Sequence, residues 1–253
     1  MGKRKDAQIY IIGHKKLDYG YWDDELYTPI QVGDAEKYTK LKDDGNKDNV
    51  SAWNPIMAEN TATYYLWKHR HPSKYKGQCQ YRRRLKFSVD TDFDKMFEKC
   101  DVIAARPLVM GDTLYRQYCA CHSNMDMDML EKILNEKYPD YVEDFDRYIK
   151  KGRTIFYSNG FVMRAEHYDQ YAEWLFGVFR AFKEEYGCWN AVGDAIYSMD
   201  MQIVKGQRRN IKGNKYQRQC LGFLSERLFT LYILHNFGYG RIETIEYTKY
   251  EGV

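Results

Sequence analysis

Residues 7–16, AQIYIIGHKK, carry the reading of the fold. Ala7, Ile9 and Ile11 alternate along one face of an extended segment, and Tyr10 and Ile12 fill the other. Strand side chains point alternately to opposite faces, so a run that is apolar on both faces is a strand covered on both sides. Such strands belong to α/β sheets, where ligands bind beyond the carboxyl ends. This one ends on His14-Lys15, which makes that pair the first candidate for a cleft.

Working outward, TPIQVGD (28–34) reads as a short strand or extended loop with a Gly turn, and residues 41–55 as a polar loop in which Asn49 or Ser51 caps the next helix. Ile56, Ala62, Tyr65, Leu66 and Trp67 predict one helix over 54–69, with Pro55 in its first turn. GQCQYRRRLKF (77–87) reads as a strand, DTDFDKMFEKC (90–100) as a helix start and DVIAARP (101–107) as a buried strand. Residues 112–150 read as helical with a break near Pro139, and 154–165 as strand-turn-strand. A clear amphipathic helix covers 166–187, a polar loop 205–219, and a last helix 221–238 closed by Gly238. Beyond 240 the tail is a strand or a loose end. Alternating strands and helices with no linker predict a single α/β domain, a mixed central sheet flanked by helices, over 1–253.

Composition narrows the function. The 253 residues are 44% hydrophobic, enough for a core, and the net charge of +3 creates no global field that demands nucleic acid. Tyr is abundant at 24 residues, a ring-plus-hydroxyl chemistry that suits sugar clefts and interfaces. The 6 cysteines include no CxxC pair, and Cys119-x-Cys121 is too tight for a zinc knuckle. With no secretory signal and no run of about 20 apolar residues, the expectation is a cytoplasmic protein with free thiols. P-loop, dinucleotide-binding, nucleophile-elbow and HExxH motifs are all missing.

The chemistry concentrates at Arg82-Arg83-Arg84. Guanidinium forks match phosphate oxygens and keep their charge at any working pH. On a continuous strand Arg82 and Arg83 point to opposite faces, so one or two of the three reach a cleft. The alternative is a solvated edge strand or ion pairs with the acidic cluster Asp90–Asp94. Asp92-x-Asp94 has the form of a metal-binding pair, for Mn or Mg, but in its context reads better as a helix cap.

Taken in order, IIGHKK, TPIQVGD, DNVSAWNPIMAENTATYYLWKH, QYRRRLKF, DVIAARP, YSNGFVMRAEHYDQYAEWLFGVF and YQRQCLGFLSERLFTLYI resemble a bacterial family of capsule and O-antigen loci, first described as a domain of unknown function and now regarded as glycosyltransferases. The resemblance runs from about residue 9 to 234. It implies a GT-A-like fold and transfer of a hexose from a nucleotide sugar, some relatives using UDP-galactofuranose. It implies a donor half over about 1–110, an acceptor half over about 111–240 and a tail beyond. Carried across, His14, Lys15, Val32, Gly33, Asn49, Ser51, Asn54, Glu59 and Thr61 fall at the donor site, with Tyr81 beside the arginines for stacking. Arg82 and Arg83 then hold the leaving diphosphate in place of a metal, so no cofactor is expected. His122 and Asn159 fall at the acceptor site. Two positions depart from the family pattern: Gln80 stands for a usual His, and Gly160 for a usual Met.

An inverting transferase needs a base at the acceptor hydroxyl. Glu226, read as lying at a helix start after a Gly turn, is the candidate; the alternative is a cap paired with Arg227 or Arg218. Asp126, Asp128, Asp194 and Asp200 are lesser candidates. Trp53, Trp67 and Tyr157 are further stacking candidates, but aromatics at helical or strand spacing read first as core, and only Tyr81 is carried forward. The implied partners are a UDP-sugar and a glycan or lipid-linked acceptor, at the inner membrane face or beside other polysaccharide-synthesis enzymes. Two other classes remain: a nucleic-acid or anion-binding module using Lys205, Arg208, Arg209, Lys212, Lys215 and Arg218, and a non-catalytic scaffold.

Overall fold

Among the described residues, seven strands form one mixed sheet, and the segment that is apolar on both faces lies inside it. The computed structural model describes residues 4, 6–15, 23–33, 36–69, 72–192 and 214–249. In chain order the strands are β1 Ala7–Gly13, β2 Tyr27–Gln31, β3 Leu41–Lys42, β4 Tyr75–Gln80, β5 Arg83–Leu85, β6 Val102–Ala105, β7 Leu108–Val109, β8 Thr154–Ile155, β9 Phe161–Arg164, β10 Ile242–Ile245 and β11 Tyr247–Lys249. The main sheet runs β10-β6-β9-β4-β1-β2-β3. β1 pairs in parallel with β2 and β4, whereas β9 is antiparallel to both β4 and β6. The chain beyond 240 is therefore no loose end: β10 extends the sheet beside β6, and β11 pairs with β5.

The helices are α1 Asn54–Met57, α2 Asn60–Lys68, α3 Phe93–Met96, α4 Leu114–Cys121, α5 Asn124–Lys137, α6 Val142–Asp144, α7 Ala165–Tyr186, α8 Asn214–Gln217 and α9 Cys220–Asn236. α7 and α9 match the two predicted late helices, and the break at Pro139 lies where expected.

Period-two alternation divides the core. Tyr10, Ile12, Val102, Ala104, Phe161 and Met163 face the larger cluster with α2, α4, α5, α7 and α9. Ala7, Ile9, Ile11, Ile103, Ala105 and Val162 face the smaller one, closed by Tyr75, Phe93 and Phe97. Both faces of β1 are covered, as its sequence requires. The antiparallel β9 fits against β4 because residue 77 is glycine: a Cβ there would lie 2.7 Å from the Phe161 carbonyl oxygen and from a Val162 methyl.

Two sequence expectations need correction, and both corrections shape the site. The stretch 77–87 is not one strand. It leaves the main sheet after Gln80, turns at Tyr81-Arg82, and resumes as β5 against β11. The predicted helix 54–69 is also divided, because Ala58 takes φ 51° and ψ −132° between α1 and α2. A non-glycine residue held there costs about 1–3 kcal/mol, so the surrounding packing must impose it.

Candidate functional site

A cleft of about 330 Å³ opens at the carboxyl ends of β1, β2 and β4. Its walls are Ile12, Gly13 and His14 after β1, Val32 after β2, Asn54, Ala58 and Glu59 from the broken helix, Gln80 to Arg83 after β4, and Tyr157 and Gln219 opposite. This is where a parallel sheet offers a ligand its open strand ends.

The three arginines take different roles. Arg84 donates to Asp24 at 2.6 Å and lies over the Tyr27 ring at 3.9 Å, so it ties β5 to the loop before β2. Arg82 is exposed, beside Tyr81, and Arg83 lies 4.7 Å over Tyr157. Both line the cleft, and among the described residues neither forms an ion pair with a carboxylate. The turn at 81–82 brings both to one cavity, where a continuous strand would have separated them. The acidic cluster does not neutralise them: Asp92 caps α3 by accepting from the Lys95 amide, and Asp94 accepts from Lys74 and Tyr75.

Glu59 lines the same cleft. Its Oε1 accepts from Gln80 Nε2 at 2.9 Å and from Asn159 Nδ2 at 3.0 Å. Arg83 Nη1 donates to Gln80 Oε1 at 3.2 Å, so Gln80 links the cationic and anionic sides. Gln80, noted in the sequence only as a departure from the family pattern, is a wall residue of the cleft. The Asn159 amide also donates to Ser225 Oγ at 2.8 Å. Its neighbour Gly160 packs near Ala105 and Leu85 and is not a cleft residue.

Glu226 lies deeper. It is not at a helix start: α9 begins at Cys220, and Gly222 lies inside the helix. Glu226 Oε1 accepts from the Ser158 amide at 3.0 Å and Oε2 from Arg227 at 3.2 Å. The Arg227 pairing foreseen as the alternative is present, but Glu226 caps nothing. Burial pushes its pKa up to about 7, with the Glu59 charge adding and Arg227, the Ser158 N–H and Arg83 opposing. α9 is apolar nearly all round, so Ser225, Glu226 and Arg227 within it are costly unless partnered.

Of the remaining predicted residues, Val32, Asn54, Tyr81 and His14 line the cleft. His14 meets the edge of the Tyr81 ring at 5.4 Å. Desolvation there, then the charges of Lys15 and Arg82, hold its pKa below the ordinary imidazole value. Gly33 takes φ +83° against Asn54, and Asn54 Nδ2 holds the Ala58 carbonyl at 2.8 Å and Thr61 Oγ1 at 3.3 Å, so Gly33 and Thr61 support the wall from behind. Lys15, Asn49 and Ser51 are not wall residues; Asn49 turns its own loop and Ser51 donates to buried Asp43 at 2.8 Å.

His122 is also absent from the wall. It stacks on Phe223 at 4.0 Å and contacts Gln217 at 3.1 Å, and burial pushes its pKa down to about 4. Asp126 accepts from Tyr118 and Asp128 from Tyr115. Trp53 packs on Trp189, and Trp67 on Phe176. Asp194, Asp200, Lys205, Arg208, Arg209 and Lys212, and the side chain of Lys215, lie outside the described residues. No sequence signal pointed to Ala58 or Gln219.

Residues 8–191 match the family described as Domain of unknown function (DUF4422). The chain belongs to that family. A solved structure also resembles this DUF4422 chain: the apo form of WbbM, a bifunctional glycosyltransferase, at TM-score 0.71 and 22% identity, over 98% of this chain and 46% of WbbM. The chain thus spans a little under half the length of WbbM. At that identity the likeness establishes the fold, the GT-A-like α/β architecture expected from the sequence. None of the curated proteins matches the DUF4422 chain. No helix among the described residues is long and apolar enough to cross a membrane.

Proposed function

We propose that this DUF4422 chain is a glycosyltransferase that moves a hexose, galactose or galactofuranose, from a UDP-sugar to a growing surface polysaccharide or lipid-linked glycan, with inversion. The observation that carries the reading is one cleft at the strand ends that holds two arginines without a carboxylate partner among the described residues, together with the hydrogen-bonded carboxylate of Glu59. Charge accumulates on the departing diphosphate as the sugar bond breaks, and preorganised guanidinium groups stabilise it most in a site shielded from water. Arg82 and Arg83 supply that field without a metal. Tyr157 and Tyr81 give the sugar or uracil an aromatic wall. A carboxylate of the Glu59 and Glu226 pair then supplies the acid-base chemistry that the acceptor hydroxyl needs.

The test is thermal denaturation with UDP, GDP, CDP and UDP-sugars, each with EDTA and with Mn²⁺. Ligand at a hundredfold excess over its Kd stabilises the native state by about 2.7 kcal/mol. The expected outcome is a shift with UDP that survives EDTA. A shift that requires Mn²⁺ removes the arginine-only diphosphate site, and no shift with any nucleotide removes the transferase reading.

A further inference from the structure

Among the described residues, backbone strain is gathered around two side chains. Among the described residues, three non-glycine residues have positive φ: Ala58 at 51°, Ser158 at 69° and Asn159 at 47°. Ala58 immediately precedes Glu59. The Asn159 side chain holds Glu59, and the Ser158 amide holds Glu226. Strained backbone persists where the surrounding structure imposes a geometry, and it gathers where that geometry is used.

The two carboxylates are differently presented. Both oxygens of Glu226 are occupied, one by the Ser158 amide and one by Arg227, and Glu226 is not a wall residue of the cleft. Glu59 is a wall residue. Both of its donors converge on Oε1, and among the described residues none reaches Oε2. Two amides thus fix the plane of the carboxylate while one oxygen stays open to a ligand.

Resting on the transferase reading, we propose that Glu59 is the catalytic base and that Glu226, the residue the sequence pointed to, is a positioning residue that holds the Ser158-Asn159 turn from which the Asn159 amide fixes Glu59. The acceptor hydroxyl gives its proton to Glu59 Oε2. Its oxygen forms a bond to the anomeric carbon as the bond from that carbon to the diphosphate breaks. The bonding pair leaves on the diphosphate, opposite Arg82 and Arg83. Charged and titratable groups face the two carboxylates: Arg83 from β5, Arg227 on α9, Tyr157, Tyr171 from α7, and Tyr216 from α8.

Glu59→Gln keeps an oxygen for Gln80 and Asn159 while removing the base, and Glu59→Asp keeps a carboxylate. With Glu226→Gln and wild type, each is assayed for the UDP-induced thermal shift and for UDP release from UDP-galactofuranose and UDP-galactose, with water or a galactoside as acceptor. E59Q is expected to keep the UDP shift and lose kcat by about a hundredfold or more, with partial recovery in E59D. E226Q, which keeps the Ser158 hydrogen bond through its amide oxygen, is expected to stay within about tenfold of wild type in kcat with KM unchanged. The reverse pattern, E226Q inactive and E59Q active, overturns the assignment. Loss of the UDP shift in folded E59Q and E59D also overturns it, because Glu59 would then bind donor. Wild type that neither shifts with UDP nor releases it is a separate failure, of the transferase reading itself.

Discussion

Glu226→Gln also tests the buried carboxyl without reference to activity. The Glu226 side chain is only 13% exposed. Its pKa in the fold, about 7, stands above an ordinary 4.5. At about 1.36 kcal/mol per pKa unit, the rise corresponds to about 3 kcal/mol. The native state therefore holds a proton on Glu226 over a range where the unfolded chain has released it. The resulting stabilisation is complete below about pH 4.5 and is lost as pH rises to about 7. Glutamine is neutral throughout and retains the Ser158 hydrogen bond through its amide oxygen. Between pH 5 and pH 8 the stability of E226Q relative to wild type should therefore rise by about 2.5 kcal/mol. For a chain of this size that is a gain of roughly 5–10 °C in relative Tm. Urea and thermal unfolding of both proteins at the two pH values measure it, and the double difference cancels every titrating group that does not interact with Glu226. Curves that stay parallel within about 0.5 kcal/mol refute the claim that Glu226 is held in its acid form by burial.

Three further outcomes rest on the same geometry. Arg82→Ala and Arg83→Ala should each weaken UDP binding about tenfold to a hundredfold by titration calorimetry, from loss of charge-assisted hydrogen bonds; Arg84→Ala, whose partner is Asp24, should leave UDP affinity within about twofold. A Cβ on Gly222 would meet the Ala58 Cβ at 2.7 Å, so Gly222→Ala should cost about 1–3 kcal/mol in urea unfolding and weaken donor binding by displacing the strained turn before Glu59. Lys76 is 2% exposed and paired with Asp169 at 2.8 Å, so Lys76→Met should destabilise by about 3 kcal/mol while leaving UDP affinity unchanged, since the pair lies outside the cleft wall.

Much of the architecture was legible in the chain because it follows from local periodicity. The two apolar faces of residues 7–13 could be satisfied only by a covered central strand, and the amphipathic pattern of 166–187 only by a helix laid on the sheet. The arginine triplet marked a place where fixed charge needs a use or a partner, and left both readings open: Arg84 has its partner in Asp24, whereas Arg82 and Arg83 line the cleft. Resemblance added Glu59, Asn54 and Asn159, residue types too common to be singled out by chemistry alone.

What only the tertiary structure decided depends on contacts between distant segments. The turn at Tyr81-Arg82 follows from the pairing of β5 with β11, some 160 residues further on, and that pairing sends Arg82 and Arg83 to the cleft and Arg84 to Asp24. The positive φ of Ala58 and Ser158 has no local signature, since each residue left to itself prefers another conformation; that of Asn159 is one asparagine adopts more readily. Their geometry is imposed by packing of α9 and by hydrogen bonds across the sheet edge. The same packing buries Glu226 and leaves Glu59 open. Sequence fixes which groups are present, but the side of a wall on which a carboxylate ends up is set by the free energy of the whole packed core.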